Sequence, residues 1–310
     1  MSFLYKIPIV KQLIGLVKSI QLPWLQGLSL YELLELYITG IVKGAFSYRA
    51  SAIAFSFFMA LFPFALFILN LIPYIPIDDF QSDFMAFIEN SVPPTTFDAI
   101  QSILLDILNN SYKGLLSSGV ILSVFLMTNG VNAILGGFES SYHITNSRGF
   151  IRQYLWALGI SIVLSLLLLF TVAIIIVFEV LIQSIDIPDT LHQKISFLQI
   201  GRVALVVLMI LTTVSILFKY GTRVNISKAF FNIGSVYTTI LIMLTSYLFG
   251  IYVVKFAKYN ELYGSIGTLL ILMFYIWINC MILLSGFELN ATIYNLKQKN
   301  LQPKKDLQLT

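Results

Sequence analysis

Five charged residues flank long uncharged stretches of the sequence: Arg49, Glu139, Arg148, Arg152 and Glu288. A guanidinium group binds anions, and a carboxylate beside it forms an ion pair. The five side chains could therefore form a candidate substrate-binding vestibule for an anion, or ion pairs that fix the ends of helices. Arg49 alone could also extend to lipid phosphates.

Catalytic chemistry finds little support in the sequence. The two histidines, His143 and His192, fall in loops that we predict on opposite sides of a membrane, which makes a two-histidine metal site implausible. The chain contains no convincing HExxH, GxSxG, P-loop or GxGxxG motif. Cys280 is the single cysteine, so disulfides and cysteine-based zinc sites within one chain are excluded. We expect neither an enzyme nor a metal or other cofactor.

The composition predicts an integral membrane protein, because 58% of the residues are hydrophobic and 11% are charged. Uncharged stretches long enough to cross a bilayer recur along the chain. We expect an all-α polytopic membrane protein with six transmembrane helices, in a domain over residues 50–292 that follows an N-terminal segment (1–49) and precedes a tail (293–310). The predicted spans are about residues 50–71, 114–138, 154–178, 203–218, 233–254 and 264–287.

The distribution of positive charge predicts the topology. Cytoplasmic flanks of membrane helices carry an excess of lysine and arginine. Six spans place both termini on one side, together with all but five of the 19 basic residues, so we expect both termini in the cytoplasm. The basic residues left for the other side are Lys113, Lys194, Arg202, Lys255 and Lys258. Because no basic patch carries exposed aromatics, we expect no nucleic-acid partner.

Amphipathic segments are predicted outside the spans. Residues Met1 to Gln21 and Tyr31 to Phe46 have apolar residues at helical spacing, and each could lie on the membrane surface or against the bundle. The external loop, residues 73–113, shows two more such patterns, over Phe80 to Ile88 and Phe97 to Leu108. Two amphipathic helices over the outer mouth fit this loop, either as a lid or as packing.

The first span has residues suited to close helix packing. Ala52, Ser56 and Ala60 lie four residues apart, so one helix face is small enough for a neighbouring backbone to approach. Pro63 removes a backbone donor and predicts a kink. A kinked central helix could line a pathway.

Three stretches resemble the YihY/virulence factor BrkB family of bacterial inner-membrane proteins. They are YRASAIAFSFFMALFPF in the first span, GVNAILGGFESSYHITNSRGFIRQYLWAL from Gly130 to Leu158, and YGSIGTLLILMFYIWINCMILLSGFELNA from Tyr263 to Ala291. The chain departs from the family pattern at Glu139, where asparagine is frequent. It also lacks the Pro-Gly that often precedes span five.

The resemblance implies a multi-pass protein of the bacterial cytoplasmic membrane. The family was once labelled ribonuclease BN, a label regarded as mistaken, and its members are linked to export or flipping of lipids and lipid-linked saccharides. Our hypothesis is a transporter or flippase-like protein for an anionic or polyprenyl-linked lipid, with membrane lipids as partners. The alternatives are a membrane scaffold for envelope-assembly proteins and, less favoured, an ion channel; a homo-oligomer stays open.

Overall fold

The described residues of the computed structural model form helices and no strands. The structure describes residues 30–71, 80–91, 97, 101–102, 104–105, 113–144, 148–184, 191–224, 226, 229–255 and 265–306. They include eight helices: α1 (Leu30–Lys43), α2 (Phe46–Leu71), α3 (Phe80–Ser91), α4 (Lys113–Glu139), α5 (Phe150–Ser184), α6 (Leu191–Tyr220), α7 (Ile233–Lys255) and α8 (Ser265–Asp306). The fold is an all-α polytopic membrane protein, as predicted, and each predicted span falls on one helix.

Five of the described helices are long and apolar enough to cross a membrane. Their candidate spans are Ile121–Glu139, Phe150–Phe178, Ile200–Tyr220, Ile233–Tyr252 and Leu270–Gln298. A sixth span results if Tyr31–Lys43 and Phe46–Leu61, which meet at a bend of 62°, count as one broken span. The cytoplasmic position of the termini stays a prediction.

The predicted amphipathic segments are described in part. The segment from Met1 to Gln21 lies outside the described residues, whereas the pattern from Tyr31 to Phe46 falls on α1. In the external loop, α3 covers the first predicted helix. Most of the second, from Phe97 to Leu108, lies outside the described residues.

The bend between α1 and α2 lies at Gly44 and Ala45. The Gly44 amide donates to the Gly40 carbonyl at 2.9 Å, which closes the last turn of α1. Ala45 has a φ of 47°, in the left-handed region where helices commonly stop. The Arg49 amide then donates to the Ala45 carbonyl at 3.1 Å and begins the hydrogen bonding of α2. The predicted kink residue, Pro63, lies farther along α2, whose helix continues to Leu71.

The described residues group into two compact units. The first contains those within Met1–Ile53, Ile134–Gly149 and Val214–Thr310, and the second those within Ala54–Ala133 and Phe150–Thr213. In the first unit, Phe138 stacks on Phe287 with ring centroids 4.3 Å apart, and Phe218 packs edge-on against both rings. These three buried rings join the ends of α4 and α6 to the middle of α8.

Helices α7 and α8 of the first unit cross in backbone contact. A Cβ added at Gly234 would collide with the Gly286 carbonyl, and it would lie 2.5 Å from Asn290 Nδ2. Asn290 Oδ1 accepts from the Gly234 amide at 2.9 Å, and its Nδ2 donates to Asn232 Oδ1 at 2.6 Å. Asn232 also caps α7, since its Oδ1 accepts from the Ser235 amide at 2.8 Å. The crossing is therefore both tightly packed and hydrogen-bonded.

The second unit contains two contacts that the sequence patterns anticipate. Phe80 and Phe84, one face of α3, are buried with Ile176 of α5. On α2, Ala60 is buried, and a Cβ added at Gly130 of α4 would meet its methyl group at 3.5 Å, an ordinary contact distance. Ser56 is half-buried, and Ala52, in the other unit, is exposed.

We predict that Gly234→Ala destabilises the protein, because its methyl group meets the backbone of α8. Overpacking of this kind costs about 1–3 kcal/mol, and we expect a lower unfolding midpoint in detergent micelles. Gly250→Ala in the same helix is the matched control, since a Cβ there meets nothing within 4 Å. Equal midpoints for the two variants would contradict the crossing.

Candidate functional site

Arg49 and Glu288 form a buried ion pair in the first unit. Arg49 Nη2 donates to Glu288 Oε1 at 2.6 Å, and the two side chains are 6% and 0% exposed. Arg49 Nη1 donates to the Gly137 carbonyl near the end of α4, at 2.8 Å. The pair therefore ties α2 to α4 and α8, and the Arg49 guanidinium does not extend to the surface.

The second carboxylate oxygen of Glu288 is also bound. Ser141 Oγ, in the turn after α4, donates to Glu288 Oε2 at 2.8 Å. The same hydroxyl oxygen lies 3.3 Å from the His143 amide that donates to it. Glu288 therefore accepts one hydrogen bond from a cation and one from a hydroxyl, which compensates its burial.

Gly40 on α1 and Gly44 in the bend after it let this helix approach the pair. A Cβ at Gly40 would lie 2.7 Å from His143 Nε2 and 3.2 Å from Glu288 Oε2. A Cβ at Gly44 would lie 2.9 Å from Arg49 Nη2. A Cβ at Gly44 would also collide with the Gly40 carbonyl. These approaches are closer than side chains normally allow, so glycine at both positions lets the end of α1 lie against the pair.

His143 links the turn after α4 to α1 and α8. Its Nε2 lies 3.3 Å from the Leu36 carbonyl, and its Nδ1 lies 3.0 Å from Asn295 Nδ2. Both ring nitrogens of His143 are therefore within hydrogen-bonding distance of a polar group on another helix. The imidazole is 9% exposed.

Arg148 and Glu139 form a second pair, which closes the end of α6. Arg148 Nη1 lies 3.5 Å from Glu139 Oε1, and the Arg148 amide donates to Glu139 Oε2 at 2.8 Å. The Arg148 guanidinium also donates to the carbonyls of Tyr220, Gly221 and Thr222, at 3.0, 2.9 and 2.7 Å. A cation on the carbonyls that end a helix stabilises that end.

The five charged residues singled out in the sequence are thus arranged in two pairs and one separate residue. Both pairs contact the short stretch from Gly137 to Arg148 in the first unit. Arg152 belongs to the second unit, and its side chain is exposed. A binding role for any of them stays a prediction.

Among the residues that the structure describes, one polar atom of each pair is buried without a hydrogen-bond partner: Arg49 Nε and Glu139 Oε1. An unsatisfied buried donor or acceptor costs about 1–3 kcal/mol. Arg49 therefore retains one N–H group able to donate to an additional acceptor. Within the described ranges, no three His, Cys, Asp or Glu side chains come together as a metal site.

Sequence patterns missed the residues that surround the pair. Ser141 and His143 lie within the family-like stretch from Gly130 to Leu158, but nothing in that stretch marks them as neighbours of Glu288. The contacts of Ser141, His143 and Asn295 join positions 107 to 152 residues apart. The four-residue spacing of Gly40 and Gly44 was the available signal, because small residues at this spacing allow close helix approach.

We predict that Arg49→Met and Glu288→Met each destabilise the protein, whereas the double variant recovers most of the loss. Removing one partner of a buried pair leaves an uncompensated charge and costs about 3–5 kcal/mol, but replacing both by apolar residues is often neutral. Unfolding midpoints in detergent measure this, with the exposed Arg223→Met as control. A double variant no more stable than the singles would contradict the coupling.

Comparison with known proteins confirms the family resemblance. The family described as "Virulence factor BrkB" matches residues 38–308. A curated relative, the "Putative ribonuclease-like protein YfkH" of Bacillus subtilis (strain 168), is 30% identical over 255 residues, which cover 81% of this chain and 90% of the relative. No solved structure gives a significant match. The chain, with its two pairs of arginine and glutamate around the turn after α4, belongs to the BrkB virulence factor family.

Proposed function

We propose that this protein moves an anionic lipid or lipid-linked saccharide across the bacterial cytoplasmic membrane, with the head group bound by Arg49. The observation that carries the proposal is the buried Arg49–Glu288 pair beside the break between α1 and α2. An exposed ion pair could simply contribute to solubility. A pair buried among membrane helices is costly to desolvate, which favours a functional role.

The position of Glu288 supports a functional role. It lies inside the candidate span Leu270–Gln298 and is fully buried. Ionisable side chains within membrane segments are expensive, and they commonly mark substrate or ion pathways. Transporters also place their binding sites at discontinuous helices, and α1 and α2 form such a broken pair.

The donors of Arg49 support an anionic substrate. Its Nε has no hydrogen-bond partner, and its Nη2 is held by a carboxylate. A phosphate group offers several acceptor oxygens that match the planar donor set of arginine. An incoming phosphate could therefore satisfy the free Nε and compete with Glu288 for Nη2.

The other two arginines are assigned different tasks. Arg148 is committed to three carbonyls at the end of α6, so we give it a structural role. Arg152 is exposed and could attract anionic head groups to the membrane surface. Arg49 alone is proposed to bind the substrate inside the first unit.

The contacts of the two buried glutamates favour transport over nuclease chemistry. The name of the Bacillus relative includes "ribonuclease-like". Metal-assisted phosphodiester hydrolysis uses carboxylates as metal ligands. Here Glu288 accepts hydrogen bonds on both oxygens, from Arg49 and Ser141, and Glu139 lies against the cationic Arg148, which disfavours a metal cation at either carboxylate.

We predict that the purified protein in proteoliposomes translocates labelled phosphatidylglycerol or polyprenyl phosphate faster than labelled phosphatidylcholine. The Arg49→Met/Glu288→Met double variant should translocate anionic lipid no faster than empty liposomes, because it lacks the cation but keeps the packing. Arg223→Met removes an exposed arginine of the same unit and should retain wild-type rates.

Translocation is measured as the fraction of fluorescent lipid that becomes accessible to an external reductant, with and without a proton gradient. Folded protein that moves no anionic lipid under either condition would contradict the proposal. A scaffold would then be the better assignment, and deletion of residues 1–21 and of the tail would test for lost protein partners.

A further inference from the structure

We propose that the Arg49–Glu288 pair couples anion binding to proton uptake: when a phosphate-bearing anion replaces Glu288 on Arg49, Glu288 takes one proton from solvent. This inference rests on the proposed function, and it adds how the transported charge is balanced. The pair would act as an exchange site. In one state Glu288 neutralises Arg49, and in the other the anion does so while Glu288 is protonated.

The exchange follows from the hydrogen bonds of Arg49. Its contact with Glu288 Oε1 uses Nη2, whereas Nη1 is held by the Gly137 carbonyl and Nε has no partner. The Gly137 contact can therefore persist while a phosphate takes Nη2 and Nε with two oxygens. Bidentate binding of this kind is what makes arginine a strong phosphate ligand.

The proton follows from the burial of Glu288. Once Arg49 is bound to the anion, Oε1 loses the cation that neutralised it, and Ser141 remains on Oε2. The side chain is 0% exposed, so water cannot stabilise the unpaired carboxylate. A buried carboxylate without a counter-charge binds a proton rather than staying ionised.

Among the described groups around Glu288, Arg49 supplies the positive charge that keeps the carboxylate ionised. From α1, the Tyr37 phenol lies beside Tyr237 of α7, Ser285 of α8 and Glu288. From the turn after α4, His143 lies near Glu288 across Gly40, and its two ring nitrogens contact the Leu36 carbonyl and Asn295 Nδ2. The phenols carry no positive charge, and the ring nitrogens of His143 contact Leu36 and Asn295, so neither group takes the place of Arg49 on Oε1.

The net charge of the site determines how lipid movement should respond to the membrane potential. A phosphodiester such as phosphatidylglycerol carries one negative charge, and one proton accompanies it. The complex therefore has the same net charge as the resting site. Movement of such a lipid should respond to a pH gradient and be insensitive to the membrane potential.

The test measures proton uptake and binding together in the full-length protein. Short-chain phosphatidylglycerol is titrated into detergent-solubilised protein in weakly buffered solution with a pH-indicator dye. We expect about one proton taken up per lipid bound, and an affinity that weakens about tenfold per unit rise in pH. Phosphatidylcholine should bind without proton uptake. Inorganic phosphate distinguishes the two phosphate sources: equal binding would support the exchange and remove the lipid requirement.

Two variants sharpen the result. Glu288→Gln cannot take a proton, so it should bind phosphatidylglycerol with no proton uptake and no pH dependence. Glu35→Gln, which removes an exposed carboxylate from α1, should keep both. If Glu288→Gln does not fold, the pH dependence of the wild-type protein decides.

The two proposals fail in different ways. Phosphatidylglycerol binding without proton uptake, or proton uptake that persists in Glu288→Gln, would overturn the exchange and leave the proposed function standing. Absence of anionic-lipid binding by folded protein would overturn both.

Discussion

A buried charge must have a counter-charge, and in this protein that requirement is met by Arg49 and Glu288. The surrounding structure is arranged to satisfy it. Gly137 presents a carbonyl to Nη1, Ser141 presents a hydroxyl to Oε2, and Gly40 and Gly44 lack the side chains that would separate α1 from the pair. The left-handed Ala45 turns the chain so that α2 can begin immediately beside this site.

The crossing of α7 and α8 helps to position Glu288. Gly286 lies two residues before Glu288 on α8, and Asn290 two residues after it. Gly286 brings the backbones of the two helices into contact, and Asn290 hydrogen-bonds the start of α7. Because both contacts bracket Glu288, the crossing fixes the depth and rotation at which its carboxylate meets Arg49.

Much of the fold could be predicted from the sequence, because membrane helices have a strong and local signal. Each predicted span falls on a helix, and the amphipathic pattern from Phe80 to Ile88 falls on α3. The pairing of the charges was less predictable. The sequence placed Arg49 and Glu288 near helix ends at a similar depth, but their contact joins residues 239 positions apart, and no local pattern encodes that. The sharp bend at Gly44 and Ala45 was missed for a related reason: proline has an obvious helix-breaking signal, whereas a left-handed alanine has none.

Arg49 and Arg148 show why residue type and position alone could not distinguish the proposed binding residue from the proposed structural one. Both are arginines near the end of an apolar stretch, and both face a glutamate. Arg148 donates to three backbone carbonyls that belong to the end of α6, so an incoming anion would have to uncap that helix. Arg49 donates to one carbonyl and one carboxylate and keeps a free Nε. Its carboxylate partner can be replaced by another anion at the cost of one proton, and no helix end is lost. The two sites therefore differ in the hydrogen bonds that each guanidinium would lose when an anion binds.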